Sequence, residues 1–207
     1  MNNNKWPLLL LSIIISGCSG MNKSQCITAD WRTIGFEDGV NGKAENAIAT
    51  YRQECAEHGV TPQLEAYRLG HREGSERYCT TRNGFIVGKR GSSYQNSCMP
   101  DLEKGFLLGY RDGKTLFELQ RALNSARSNI DKQRRVIANL EQEIVDKTEL
   151  LVADGLTRDD RVQLLNEIEL HKYEINEALN ALPGLEEQAY SAEQAYIQAE
   201  QRFKSYL

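Results

Sequence analysis

Residues 114–151 read KTLFELQRALNSARSNIDKQRRVIANLEQEIVDKTELL. Leu116, Leu123, Ile130, Ile137, Ile144 and Leu151 recur at heptad spacing without a break. Leu119, Ala126 and Leu140 fill a companion row, which Gln133 and Lys147 interrupt. Two apolar rows at this spacing form the seam of a coiled coil. Asp154-Gly155 ends the pattern, and Thr157, followed three residues on by Asp160, reads as the cap of a second helix. In that helix Ile168, Ile175, Leu182, Ala189, Tyr196 and Phe203 form another heptad row. Its companion begins as Leu165, Lys172 and Leu179. Past Pro183-Gly184 it moves one place, to Leu185, Ala192, Ala199 and Tyr206. A kink or short break is therefore expected at the proline. A short turn between two long helices folds them back on each other, so residues 114–207 are expected to be an antiparallel helical hairpin. Gln133 and Lys172 read as register-setting residues, and the Glu, Gln and Arg outside the seams as a solvated face.

Upstream the composition changes. The first half of the chain holds nearly all the Gly, and residues 26–113 hold, after Cys18, every Cys: Cys26, Cys55, Cys79 and Cys98. Helices are expected after Asp30, over 44–58 with Gly59 as the stop, and after Thr61-Pro62 as far as Cys79. Another opens at Pro100-Asp101. Residues 80–97, with Gly84, Gly88 and Gly91, read as a loop. One short unit occurs three times, as Gly35-Phe36-Glu37-Asp38-Gly39, Gly70-His71-Arg72-Glu73-Gly74 and Gly109-Tyr110-Arg111-Asp112-Gly113. Glycines four apart share a helix face. Close helix packing is the plain reading, and a ligand groove lined by backbone is the sharper one. The fold class is thus all-α: a small disulfide-bridged helical head followed by a long coiled-coil hairpin.

The N-terminus sets the compartment. One Lys (Lys5) precedes an apolar run from Trp6 to Ile15, and Ser16-Gly17-Cys18 follows. The run is shorter than the ~20 residues a spanning helix needs and has the form of a signal h-region. Residues 1–17 read as a signal peptide cut between Gly17 and Cys18, and residues 18–25 as the lipidated end and linker. Small-small-Cys after such a run resembles the lipobox of bacterial lipoproteins. That resemblance implies diacylglycerol on Cys18 and an acyl chain such as palmitate on its freed amine. With Ser19 rather than Asp next, it also implies a place at the outer membrane, facing the periplasm. An even count of four further cysteines in an oxidising compartment reads as two disulfides. Three pairings are possible, and Cys26–Cys55 with Cys79–Cys98 keeps each loop short. No C-x-x-C pair suggests a metal site.

The order Asp30-Trp31, Gly35, Asp38-Gly39, Cys55, His58-Gly59, Tyr67, Gly70, Gly74, Tyr78-Cys79, Asn83-Gly84-Phe85, Gly88, Gly91, Tyr94, Cys98, Phe106, Tyr110 and Gly113 resembles a family of proteobacterial lipoproteins. That family carries a domain of unknown function. The resemblance implies a small periplasmic domain and brings no activity or catalytic residue with it.

Formal charge is -4 and there is no basic tract, which speaks against nucleic acid. No phosphate loop, dinucleotide fingerprint, G-x-S-x-G or H-E-x-x-H motif is present. Should a catalytic site exist, Glu37, Asp38, Glu73, Asp112 and His71 are its candidates. The expectation is a non-enzymatic, lipid-anchored binding or scaffolding protein with no cofactor beyond the lipid on Cys18. Its partners would be membrane lipid and an envelope protein, or the same chain through the hairpin. A periplasmic hydrolase or a peptidoglycan-binding spacer is the alternative.

Overall fold

The computed structural model describes residues 20–206, so the signal region, Gly17 and Cys18 lie outside the described residues. Among the described residues there are seven α-helices and no strand. They are α1 (Lys23–Thr28), α2 (Trp31–Val40), α3 (Ile48–Ala56), α4 (Leu64–Tyr78), α5 (Thr81–Lys89), α6 (Pro100–Leu151) and α7 (Arg158–Arg202). They form two compact units. The first holds the described residues to Cys79 with Gln95–Leu102, and the second holds Thr80–Tyr94 and Glu103 onward.

In the first unit Asp30 caps α2, accepting from the backbone N–H groups of Arg32 at 3.1 Å and Thr33 at 3.3 Å. The core collects Cys26, Trp31, Cys55 and Tyr67, with Ile34, Ile48 and Tyr51 packed around them. Disulfides join Cys26 to Cys55 and Cys79 to Cys98. Helix α4 starts later than Thr61-Pro62 suggests. Gln63 is still extended, and Leu64 is the first helical residue.

Residues 80–97 are not all loop. Thr80 caps a helix by accepting from the N–H of Asn83 at 3.1 Å, and that helix, α5, carries Gly84 and Gly88 through its middle. Gly84 and Gly88, with Gly91 in the turn that follows, mimic a loop by composition. Two of them are there because another helix backbone lies against them. A Cβ at Gly84 or Gly88 would come within 3.0 Å of the carbonyl oxygen of Phe106 or Tyr110. A separation that short is never accommodated without movement.

The hairpin lies within the second unit, where α6 and α7 pack against each other over most of their length. On α6 the seam is the expected one: Leu116, Leu123 and Ile137 are buried, and Leu119, Ala126, Ile130, Gln133, Leu140, Ile144 and Lys147 are partly buried. Seam polarity is met within the hairpin. Gln133 Nε2 donates to the Ala178 carbonyl at 3.2 Å, and Lys147 pairs with Glu167 at 2.5 Å. On α7 the companion row differs from the sequence reading. It runs His171, Ala178, Leu185, Ala192 and Ala199 without shifting, whereas Leu165, Lys172 and Leu179 are exposed. Helix α7 continues through Pro183 without a break. The larger Leu residues suggested a row one place off. The true row was hidden by the small Ala178, which is buried while the larger Leu179 beside it is exposed. The hairpin end is closed by Thr157 and Asp160, which cap each other's N–H, and by Arg161, which donates to the Leu151 and Ala153 carbonyls.

Candidate functional site

Laid side by side, α2/α4 and α5/α6 are two versions of one helix pair. Gly35-Phe36-x-x-Gly39-x-x-Gly42 corresponds to Gly84-Phe85-x-x-Gly88-x-x-Gly91. Tyr51-x-x-x-Cys55 corresponds to Tyr94-x-x-x-Cys98, and Tyr67-x-x-Gly70-x-x-x-Gly74 to Phe106-x-x-Gly109-x-x-x-Gly113. The geometry follows the same register. Gly35 and Gly39 abut the carbonyls of Tyr67 and His71, and Gly84 and Gly88 those of Phe106 and Tyr110. From the other helix, Gly70 and Gly74 abut the carbonyls of Arg32 and Phe36, and Gly109 and Gly113 those of Thr81 and Phe85. After each first helix the chain turns through a glycine at positive φ, Gly42 at 70° and Gly91 at 72°. A ring lies over each of these glycines, Tyr78 in one pair and Phe117 in the other. Three of the four Gly-x-x-x-Gly units share a ring and an acid in the sequence, and the fourth, Gly84-Phe85-Ile86-Val87-Gly88, lacks the acid. The duplication itself escapes a simple repeat search because the connections are shorter in the second pair.

Only the first pair carries a buried polar constellation. Asp38, on α2, is 4% exposed. Its Oδ1 accepts from Tyr51 at 3.2 Å and faces Lys43 Nζ at 2.7 Å, and its Oδ2 accepts from the buried Tyr67 hydroxyl at 2.9 Å. Burial, and then the bond to Asp38, pushes the Tyr67 phenol above its usual range. Tyr51 is raised as well, first by burial. Lys43 is raised, first by its bond to Asp38.

His71 lies beside this group. Its ring stacks on Tyr67 at 5.9 Å, its Nε2 is 2.8 Å from the Lys43 carbonyl and its Nδ1 is 3.3 Å from Ser75 Oγ. Because a carbonyl only accepts, Nε2 carries the proton and Nδ1 accepts from Ser75. Lys43 therefore meets Asp38 through its ammonium and His71 through its main chain.

The sequence candidates separate on this geometry. Asp38 and His71 belong to one buried network. Glu37 is exposed, and Glu73 pairs with Arg32 at 2.6 Å on the surface. In the second unit Asp112 accepts from the Tyr206 hydroxyl at 2.8 Å. Tyr51, Tyr67, Lys43 and Ser75 were not singled out as site residues. Their signal was faint, since they come from a linker and two helices and meet only in three dimensions. Among the described residues no group of His, Cys, Asp and Glu side chains forms a metal site.

On α7 the aromatic residues divide. Phe203 and Tyr206 pack on Phe85, with ring centroids 6.0 and 4.6 Å away, and Tyr190 faces solvent.

These features define a class: a disulfide-bridged all-α domain built of two glycine-packed helix pairs, its last helix prolonged into a hairpin. Residues 30–115, which span both pairs, match the family described as "Protein of unknown function (DUF2799)". The chain is also similar to the uncharacterized protein YfiL of Escherichia coli (strain K12). The two are 27% identical over 92 residues, which is 43% of this chain and 71% of YfiL. No solved structure matches the chain.

Proposed function

We propose that this protein is a lipid-anchored binding or scaffolding component of the bacterial envelope, without catalytic activity, held at the outer membrane through Cys18 and facing the periplasm. The observation that carries the proposal is the pair of disulfides, Cys26–Cys55 and Cys79–Cys98, in a chain whose leader ends in Ser16-Gly17-Cys18. Stable disulfides belong to oxidising compartments, and the leader supplies the route to one. The polar network supports a structural rather than catalytic role for Asp38. Both carboxylate oxygens are already engaged by this chain's own hydroxyls and ammonium. The hairpin is the binding element. Beyond its seam it exposes Val136, Val145, Leu150, Val162, Leu165 and Leu179, apolar surface of the kind that another envelope protein or a second copy would cover.

The experiment is replacement of Cys18 by Ala with a labelled fatty acid supplied to the cells. The expected result is an uncleaved, unlabelled precursor, with the native protein in the outer-membrane fraction. Normal processing and labelling of Cys18→Ala overturns the anchoring. Crosslinking in intact envelopes, compared with a variant lacking residues 114–207, reports whether the hairpin holds the partner.

A further inference from the structure

The chain leaves almost no slack between its lipidation site and its folded body. Residues 18–25 read in sequence as a linker, yet α1 already begins at Lys23, capped by Asn22, which forms a reciprocal capping box with Gln25. Before it, the Met21 N–H donates to Glu54 Oε2 of α3 at 3.0 Å, and the Glu54 side chain lies where a Cβ of Gly20 would fall. Cys26 in α1 is tied to α3 through Cys55. Three residue steps separate Cys18 from Met21, a reach of about 10 Å at full extension.

We propose that the first unit rests directly on the lipid surface that anchors it, with α1 as the contacting element and Ile27 as the residue that enters the headgroup layer. This rests on the lipoprotein reading above. An acylated Cys18 places its own backbone at the membrane surface, so the Met21 attachment stands within about 10 Å of that surface. Ile27 lies on the helix that starts two residues later and is 61% exposed, while its neighbour Cys26 is buried in the core. An apolar side chain held beside the anchor gains by leaving water for the interface. The polar groups around the attachment are Lys23, Asn22, Glu54, Glu57 and His58. Two carboxylates against one lysine give no preference for anionic lipid. The surface therefore fits a mainly zwitterionic membrane, and the contact is enforced by the short tether rather than by charge.

The test uses the full lipidated chain with Ile27→Trp, reconstituted into phosphatidylethanolamine/phosphatidylcholine vesicles containing brominated lipid. A parallel variant carries ten Gly/Ser residues inserted between Ser19 and Gly20, which give a mean reach of about 18 Å. A side chain held at the interface is within range of bromine, so quenching should be roughly threefold greater with the native tether than with the insert. Adding phosphatidylglycerol should not increase it. Flotation with the vesicles is measured on the same samples. Loss of flotation defeats the anchoring itself. Flotation with equal quenching in both variants, or with none in either, overturns the apposition while leaving the anchor in place.

Discussion

Three residues after Gly35 the first helix pair carries Asp38, and three after Gly84 the second carries Val87. Tyr67 answers to Phe106 in the same way, and His71 to Tyr110. The ring arrangement survives the exchange. Tyr51 and Tyr67 lie 6.3 Å apart where Tyr94 and Phe106 lie 5.0 Å apart, and His71 stacks on Tyr67 as Tyr110 stacks on Phe106. One main-chain bond is also kept by different chemistry. His71 Nε2 meets the Lys43 carbonyl at 2.8 Å, and the Tyr110 hydroxyl donates to the equivalent Ser92 carbonyl at 3.0 Å. The difference follows from the connections. Residues 41–63 form a long link that includes α3, and Asp38 pins it by holding Lys43 and Tyr51. Residues 90–99 form a short one, and apolar packing of Val87 is enough. A buried carboxylate is a poor source of net stability. Its value in the first pair is to fix one conformation of a long loop.

The shared backbone geometry predicts the largest effects, and predicts them equally in both pairs. Gly35→Ala and Gly84→Ala each drive a methyl group into a carbonyl of the partner helix. Overpacking against backbone that cannot yield should cost about 3 kcal/mol or more in either case. Gly59→Ala is the control. It meets no atom within 4 Å and bears only the strain of φ +71°, which should cost about 1 kcal/mol. Denaturant unfolding measures all three. A tolerated Gly84→Ala beside a crippling Gly35→Ala would break the equivalence of the two pairs.

The polar exchange comes next in size. Asp38→Val alone leaves the buried Tyr67 hydroxyl without its acceptor and removes the carboxylate that joins Tyr51 to Lys43, and should destabilise by about 2 kcal/mol. Adding Tyr67→Phe rebuilds the pairing of Val87 with Phe106, so the double variant should recover at least about 1 kcal/mol in a double-mutant cycle. Additive losses would mean that the two pairs do not share packing at this position. The same variants carry a pH signature. The Tyr67 phenol is raised by burial and then by Asp38, so above its ordinary value of about 10 the unfolded chain loses a proton that the folded chain keeps. Stability from this group is present below that pH and lost as pH rises. Lys43 acts in the same sense. Raised by Asp38, it stabilises below its unfolded value and ceases to do so as pH climbs through the folded one. With 53% of its side chain exposed it contributes the smaller part. Burial of Tyr67 is retained in Asp38→Val, so the stability gap between wild type and variant should narrow only modestly between about pH 9 and pH 11, through the parts of the Tyr67 and Lys43 shifts that Asp38 supplies. A gap unchanged over that range would place Asp38 outside the titration.

What was legible in the sequence and what was not divides along physical lines. The α6 seam could be read because large aliphatic residues repeat at a fixed spacing. The α7 companion row could not, because Ala178 is buried by its smallness and Leu179 beside it looks the better core residue. Helix α5 was hidden by its own glycines, whose purpose is a neighbour that sequence does not name. The short-loop disulfides could be anticipated from cysteine parity and position. Asp38 could be suspected as one acid among several, but its partner Lys43 comes from an irregular connection, and the helical pattern around Tyr51 places that ring on a core face without naming Asp38. Phe203 and Tyr206 could be placed in the apolar rows of the second helix, but the sequence does not name what they pack on. Their stacking on Phe85 makes them internal to the second unit.

The smallest predicted effect concerns the outer face of each pair. Phe85 is fully buried, covered by Leu116 and by Phe203 and Tyr206 from the end of the chain. Its counterpart Phe36 is half-buried, and where Leu116 would stand the first pair has Arg77, its guanidinium 5.3 Å from the ring. A cation over a half-buried ring contributes little, and Arg77 places a charged group where the second pair has an apolar one. Arg77→Leu copies the second pair without supplying the α7 end that makes leucine useful. It should leave the melting temperature within about 2 °C of wild type while raising the tendency to self-associate at high concentration. Leu116→Arg is the reciprocal change and should be far more damaging, because it buries an unpaired charge under Phe203. The asymmetry of the two substitutions is the quantity to measure, by thermal unfolding and light scattering on the same samples. Equal and small shifts for both would mean that α7 does not seal Phe85. A large loss for Arg77→Leu would mean that Phe36 depends on its arginine for structure, and that the first pair's outer face is a built surface rather than an open one.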